Sequence, residues 1–341
     1  MPFLKVRPGG IVFKLVVAII ILMLFSVNSD AGVLLAQDDP EKAVQKTNTA
    51  GQPQDVNNPE NILPTEQQQK SPESAYFGKK TDRPVSTHKV NYFSLDHWPG
   101  NKKAQLKYQI SMKFRLLEPN LYVLKYNLFP AYAAYTQKSL WNVGQKSGPF
   151  EESNYNPELF LDYPVNAALI GRFKLRSIVI SPIEHESNGL SSAQSRSWNR
   201  QYVLIKFGLE SKEKLEVTNS FLSDKALLYV KLWHASGYSG QDAYLRSIGN
   251  RDKFLDYRGQ GEVGVSVRNF LWGGSLQDHQ MDIRTPVFRD NRKDSYELEL
   301  RQQIPNMNFA LYLQYWYGYG ETLLRFDQFR RRGFVGLAFS Y

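Results

Sequence analysis

An alternation of period two, carried in short segments to the last residue, constrains this chain most. Tyr296-Glu297-Leu298-Glu299-Leu300-Arg301 alternates cleanly, as does Val263-Gly264-Val265-Ser266-Val267-Arg268. Phe309, Leu311, Leu313, Tyr315, Tyr317 and Tyr319 share one face of a strand, and Tyr312, Gln314, Trp316, Gly318 and Gly320 share the other. Successive side chains of a strand point to opposite faces, so this pattern gives one apolar and one mixed face. Beyond residue 89 no apolar run approaches the roughly 20 residues of a membrane helix. Alternating segments lie near 89–96, 104–117, 121–141, 157–166, 172–187, 197–211, 225–236, 257–269, 270–284, 293–304, 308–319 and 332–341. A strand crossing an outer membrane needs about 9–11 residues, and bacterial barrels have even strand numbers. The expected fold is all-β, a twelve-stranded antiparallel transmembrane β-barrel spanning 89–341. A soluble β-sandwich shares the period. The 20 Tyr, 20 Phe and 6 Trp and the aromatic final residue favour a wall that meets a membrane–water interface.

The start of the chain points to export. Lys5, Arg7 and Lys14 precede an apolar run from Val16 to Val27, and Ser29-Asp30-Ala31 supplies small residues for cleavage. This is read as a signal peptide over 1–31, with Ala36 as a second cut position. Residues 32–88 are polar, with runs such as Gln67-Gln68-Gln69-Lys70-Ser71-Pro72. Such composition cannot offset chain entropy by apolar burial, and a disordered arm is expected. The absence of Cys excludes a disulfide framework and a thiolate metal site. The net charge of +9 suits anionic partners, nucleic acid or anionic lipid.

The chemistry-bearing stretch is Glu184-His185-Glu186-Ser187-Asn188-Gly189, followed by Ser197-Trp198-Asn199-Arg200. Upstream, Phe173, Leu175, Val179 and Ile183 are odd and apolar, while Lys174, Arg176, Glu184 and Glu186 are even and charged. On the next segment Val203, Ile205, Phe207 and Leu209 are odd and apolar, against Arg200, Lys206 and Glu210. Parity therefore sends the odd series, with His185, Ser187 and Asn199, to the lipid side. A turn centred at Ser192 sets His185 opposite Asn199, and directly opposed residues share a face. Lipid-facing positions penalise polar groups, so these three need a reason to be there. One is headgroup-level placement. The other is nucleophile–base–orienter catalysis, with Ser187 attacking, His185 as base and Asn199 fixing the imidazole.

At these residues the chain resembles the outer-membrane phospholipase A family. The match runs through His185-Glu186-Ser187-Asn188-Gly189 and Ser195-Arg196-Ser197-Trp198-Asn199-Arg200. It continues in Tyr135-Thr136-Gln137-Lys138-Ser139-Leu140-Trp141, in 147–160 and in Gly318-Tyr319-Gly320-Glu321-Thr322-Leu323. The resemblance implies calcium-dependent hydrolysis of phospholipid acyl esters by a homodimer in the outer membrane of a Gram-negative bacterium, with no nucleic-acid partner. Ser187 would be nucleophile, His185 base and Asn199 third member, with the Gly189 amide and calcium-held water at the oxyanion. Calcium would take the Ser195 hydroxyl and the Leu190 carbonyl from one subunit and Ser147 from the other. Oxygen donors are what calcium takes. Gln137 matches the residue that pairs across the family's dimer. The chain departs from the family at Ser192-Ala193 and around Asn250-Arg251-Asp252-Lys253. The competing expectation is a non-catalytic barrel, either a porin-like channel or an inactive relative.

Overall fold

The computed structural model describes residues 84–96, 104–117, 121–123, 126–128, 130–191, 194–210, 224–236, 253–270, 278–289 and 292–339. The expected signal peptide, nearly all of the polar arm, Ser192-Ala193 and residues 250–252 lie outside these. The strands are β1 (Val85–Thr87), β2 (Asn91–Asp96), β3 (Gln105–Arg115), β4 (Leu121–Val123), β5 (Tyr126–Leu128), β6 (Ala131–Trp141), β7 (Phe150–Ile170) and β8 (Phe173–Ser187). They continue with β9 (Ser197–Glu210), β10 (Asp224–Ser236), β11 (Gly261–Arg268), β12 (His279–Val287), β13 (Ser295–Gln303), β14 (Phe309–Gly318) and β15 (Arg330–Phe339). One helix, α1 (Lys253–Arg258), precedes β11.

The wall is antiparallel throughout and closes where β15 pairs with β2, for instance Val335 with Leu95. β1 and β2 lie along the same edge of β3 and form one first strand, broken at 88–90. This gives the twelve wall positions the alternation predicts. The wall begins at Val85, four residues before the expected Lys89. Closure pairs each of the twelve wall positions with a neighbour on either side, the condition for crossing lipid with sheet.

Three expected segments differ in detail. The 121–141 segment is a separate β4–β5 hairpin followed by β6. The 257–269 segment opens with the last turn of α1. The 157–166 segment is the middle of a 21-residue strand, β7. Parity also fails once. Val179 is expected on the lipid side, yet it packs inward with Trp198, Tyr202 and Leu204. β8 carries irregularities between Leu175 and Ser177 and between Ser181 and Glu184. The first reverses the faces; the second, where Pro182 and Ile183 both face out, restores them. Such bulges insert one residue and switch parity.

Outside, Leu159, Ile180, Ile183, Val203, Leu232, Leu311, Leu313, Val335 and Leu337 are all exposed, as a lipid-facing wall requires. Inside, the end bearing the 188–196 loop is plugged. Phe254 of α1 stacks edge-on against Trp198 and Phe326, and Leu323 joins them fully buried. The plug loop, 319–329, is anchored by Glu152, whose carboxylate accepts from the Leu323 and Leu324 amides at 2.8 and 3.0 Å. Glu321 is ringed by Lys107, Arg332 and Arg330 at 3.2, 3.3 and 3.5 Å. Burial works against its charge, but these three cations outweigh burial and hold its carboxyl below the ordinary carboxylate range. Among the described residues an aromatic cluster and a buried acid fill part of this end, unlike the water-filled lumen of a porin.

Removing the buried ring in Phe254→Ala is expected to cost about 3–5 kcal/mol, read from urea unfolding of the detergent-solubilised barrel. A depressed Glu321 contributes stability that is complete above its unfolded-state value and is lost as pH falls through the lower folded one. The same unfolding measured down an acid series should show that loss, and Glu321→Gln should flatten it.

Candidate active site

The hairpin β8–β9 has two unlike faces. On its inner face Glu186 accepts from Trp198 Nε1 at 2.9 Å, Arg200 at 3.1 Å and Arg258 of α1 at 3.2 Å. Glu184 pairs with Arg200 at 2.8 Å and Lys231 at 2.9 Å. The Arg200 guanidinium also lies over the Trp198 ring, 4.1 Å from its centroid. A buried acid is tolerated only when paired and hydrogen-bonded. The inner residues at this end of the hairpin are thus held, and the strand backbone that carries the outer residues is held with them.

The outer face carries the expected trio. His185 lies directly across from Asn199, and Ser187 across from Ser197, the register that centres the turn at residue 192. His185 Nδ1 and Asn199 Oδ1 are 2.7 Å apart. An amide oxygen accepts, so Nδ1 carries the proton and Nε2 presents a lone pair. Ser187 is the next residue outward on the same face. All three are partly exposed.

The loop beyond them is tied by Asn188, which is buried. Its Oδ1 accepts from the Leu190 and Arg196 amides at 3.3 and 2.9 Å, and its Nδ2 donates to the Gln194 carbonyl at 2.8 Å. One side chain therefore gathers both ends of the loop that carries Leu190 and Ser195. Gly189 adopts φ +63°, and a Cβ there would stand 2.6 Å from the Tyr155 ring. Only glycine fits both the left-handed backbone and that contact.

The sequence reading missed Asn156. Strand β7 pairs Tyr155 with Ser187 and Glu158 with Glu184, which sets Pro157 across from His185. Proline has no N–H to offer the ladder. The Asn156 Nδ2 donates to the His185 carbonyl instead, at 2.6 Å, while Lys89 Nζ holds its Oδ1 at 2.8 Å. The signal lay in the Asn156-Pro157 pair, a break in a strand whose neighbour carries the candidate base.

The remaining expected residues lie around this face. Gln137, Tyr155, Ser187 and Ser197 form one rung across four strands. On the outer wall Gln137 donates to the Tyr108 hydroxyl at 3.5 Å and accepts from Tyr135 at 3.3 Å. Ser147, at φ +66°, lies in the 142–149 loop between β6 and β7, at the same end as the 188–196 loop. Within one chain it is on a different loop from Leu190 and Ser195. Among the described residues no three His, Asp or Glu side chains cluster as metal ligands; the candidate donors are neutral oxygens.

Comparison with known proteins fits this geometry. The family model described as phospholipase A1 matches residues 57–340. The chain belongs to the phospholipase A1 family. That is a family of carboxylic ester hydrolases, and this member is an outer-membrane β-barrel of the same build. Phospholipase A1 of Salmonella typhimurium is 28% identical over 253 residues, covering 72% of this chain and 73% of its own. A Neisseria meningitidis relative is 28% identical over 241 residues, and the chain spans about half of it, 55%. The structure of outer membrane phospholipase A from Escherichia coli matches at a TM-score of 0.60 and 25% identity, covering 76% of this chain and 94% of that one. A Salmonella typhi outer membrane phospholipase dimer with bound calcium matches in fold at a TM-score of 0.57 and 24% identity, covering 73% and 90%.

Asn156→Ala leaves the His185 carbonyl without its donor. It is expected to lower kcat roughly tenfold, in line with the ~1–3 kcal/mol cost of an unsatisfied buried group, with KM little changed. Steady-state kinetics on a short-chain phospholipid check this, and Asn156→Gln should recover part of the loss.

Proposed function

We propose that this ester hydrolase cleaves the acyl esters of membrane phospholipids with Ser187 as nucleophile, His185 as general base and Asn199 as orienter. The observation that carries the reading is the 2.7 Å contact between His185 Nδ1 and Asn199 Oδ1 on the lipid-facing side, beside Ser187. A substrate that resides in the bilayer gives polar groups on an outer wall a purpose.

The reaction follows from the groups. His185 Nε2 takes the Ser187 proton as Oγ attacks the acyl carbonyl carbon, and the carbonyl π pair moves onto oxygen. The Gly189 amide, exposed beyond Ser187, donates to that oxyanion. Asn199 keeps Nδ1 protonated throughout, so Nε2 is always the nitrogen that exchanges the proton. As the tetrahedral carbon collapses, the ester C–O bond breaks and His185 returns the proton to the departing lysophospholipid hydroxyl. Water then enters by the same base, and the Ser187 acyl ester is hydrolysed to a fatty acid. Asn199 carries no charge and steadies the imidazolium less than a carboxylate would.

Calcium is the cofactor that the donor set fits. The Leu190 carbonyl and Ser195 hydroxyl sit on the loop that Asn188 ties, and both are the hard oxygen ligands calcium takes. Ser147, on its separate loop, would come from a second copy. Held by these oxygens, calcium would supply positive charge to offset that of an oxyanion. The Gln137–Tyr155–Ser187 rung supports a homodimer through this wall, since a partner across it reaches the hairpin.

Ser187→Ala is expected to reduce fatty acid release from mixed phospholipid micelles at least about a thousandfold, with Asn199→Ala losing less. EDTA should suppress the wild type, and calcium should restore it. Mixing Ser187→Ala with Ser147→Ala chains should recover activity in heterodimers that pair an intact Ser187 with the other chain's Ser147. Full release by Ser187→Ala would end the assignment.

A further inference from the structure

The consecutive arginines Arg330, Arg331 and Arg332 at the start of β15 are split by strand parity. Arg330 points inward to Glu151 at 2.5 Å and Glu321 at 3.5 Å. Arg332 points inward to Glu321 at 3.3 Å and Asp96 at 3.7 Å. Arg331 points the other way. It is exposed, on the same face as Val335 and Leu337, and its guanidinium lies 5.1 Å from the Tyr317 centroid and 5.5 Å from that of Phe329. Among the described residues it forms no ion pair, in a triplet where Arg330 holds two carboxylates and Arg332 three.

Its surroundings are those of a headgroup level. Below it on the outer wall lie the exposed Val335 and Leu337 of β15 and Leu313 of β14. Around it runs a continuous aromatic chain. Tyr296 contacts Tyr317, Tyr317 meets Phe329 edge-on, Phe329 meets Tyr319, and Tyr319 contacts Tyr257. Beyond Phe329 the chain turns inward, since Tyr319 and Tyr257 line the same cavity as Glu186 and Arg200, and there Lys293 lies 4.7 Å from the Tyr257 centroid. Aromatic rings and basic residues gather where acyl chains give way to headgroups. A guanidinium laid against rings is held in plane and turns its N–H edge outward, the geometry that grips two oxygens of a phosphate.

We propose that Arg331, seated on Tyr317 and Phe329, is a binding site for the phosphate of an anionic lipid in the leaflet at the active-site end of the barrel. Charge complementarity selects the occupant: an outward arginine without a carboxylate partner among the described residues, at the depth where lipid phosphates lie. The site stands apart from the catalytic hairpin, five strands from β8 one way round the wall and six from β9 the other. Its ligand is therefore a bound lipid rather than the substrate in turnover.

The test uses the full barrel in detergent with a dialkyl ether phosphatidic acid, which has no ester to cleave, and dialkyl ether phosphatidylcholine as the comparison. The wild type should retain the phosphatidic acid about tenfold better, the size of one charge-assisted hydrogen-bonding contact. Arg331→Gln should bring retention down to the phosphatidylcholine level and Arg331→Lys should fall between, with ester hydrolysis unchanged in both. Undiminished retention by Arg331→Gln overturns the proposal. So does complete displacement of the lipid by inorganic phosphate at equal concentration, which would make the site one for the free anion.

Discussion

The buried acids of the β8–β9 hairpin are what the rest of the site depends on. Glu184 and Glu186 face a lumen where an unpaired carboxylate would be expensive, so each recruits cations from elsewhere: Arg200 from β9, Lys231 from β10 and Arg258 from α1. Those pairings set the height and rotation of the hairpin against its neighbours. A strand backbone cannot shift on one face without carrying the residues of the other. Fixing the inner residues therefore fixes His185, Ser187 and Asn199 on the outer wall, where no packing from the lipid side could do so. The polar interior reads less as a passage than as a foundation.

Much of this was legible in the sequence. Alternation gave the strand number, and the even charges beside odd aliphatics gave the facing of β9 along most of its length, with Leu209 buried against expectation. The His185–Asn199 register followed from one turn centre. The facing of β8 was also right at the end that carries the candidate site, but only because two irregularities cancel. Val179, between them, is turned inward. A bulge leaves no dependable mark in a single sequence, since it inserts a residue without changing composition. The proline at 182 is the one local hint.

Other features were visible as letters but not as roles. Gly318-Tyr319-Gly320-Glu321-Thr322-Leu323 stood out as a motif, and its meaning is spatial. It folds back into the barrel mouth, where Leu323 is buried and Glu321 finds three cations. Glu152, the acid that anchors it, lies on β7, far away in sequence. Asn156 is similar: Pro157 is plain to see, but that it lies across from His185 is known only once β7 and β8 are paired. Long-range partners of this kind belong to topology and not to local pattern.

The anchoring of the plug has a consequence for the order in which the molecule can become competent. Glu152 receives its amide donors from Leu323 and Leu324, 171 and 172 residues further along the chain. Glu186 receives Arg258 from 72 residues on. A chain that has emerged as far as β9 already contains every residue of the trio, yet it lacks the full backing that holds them. Part of that backing is Trp198 and Arg200 of β9 itself, and the rest arrives with Lys231 of β10, Arg258 of α1 and the plug loop before β15. Closure of the wall and completion of the contacts behind the candidate site therefore coincide, and a chain not yet closed into a barrel carries these residues without everything that holds them.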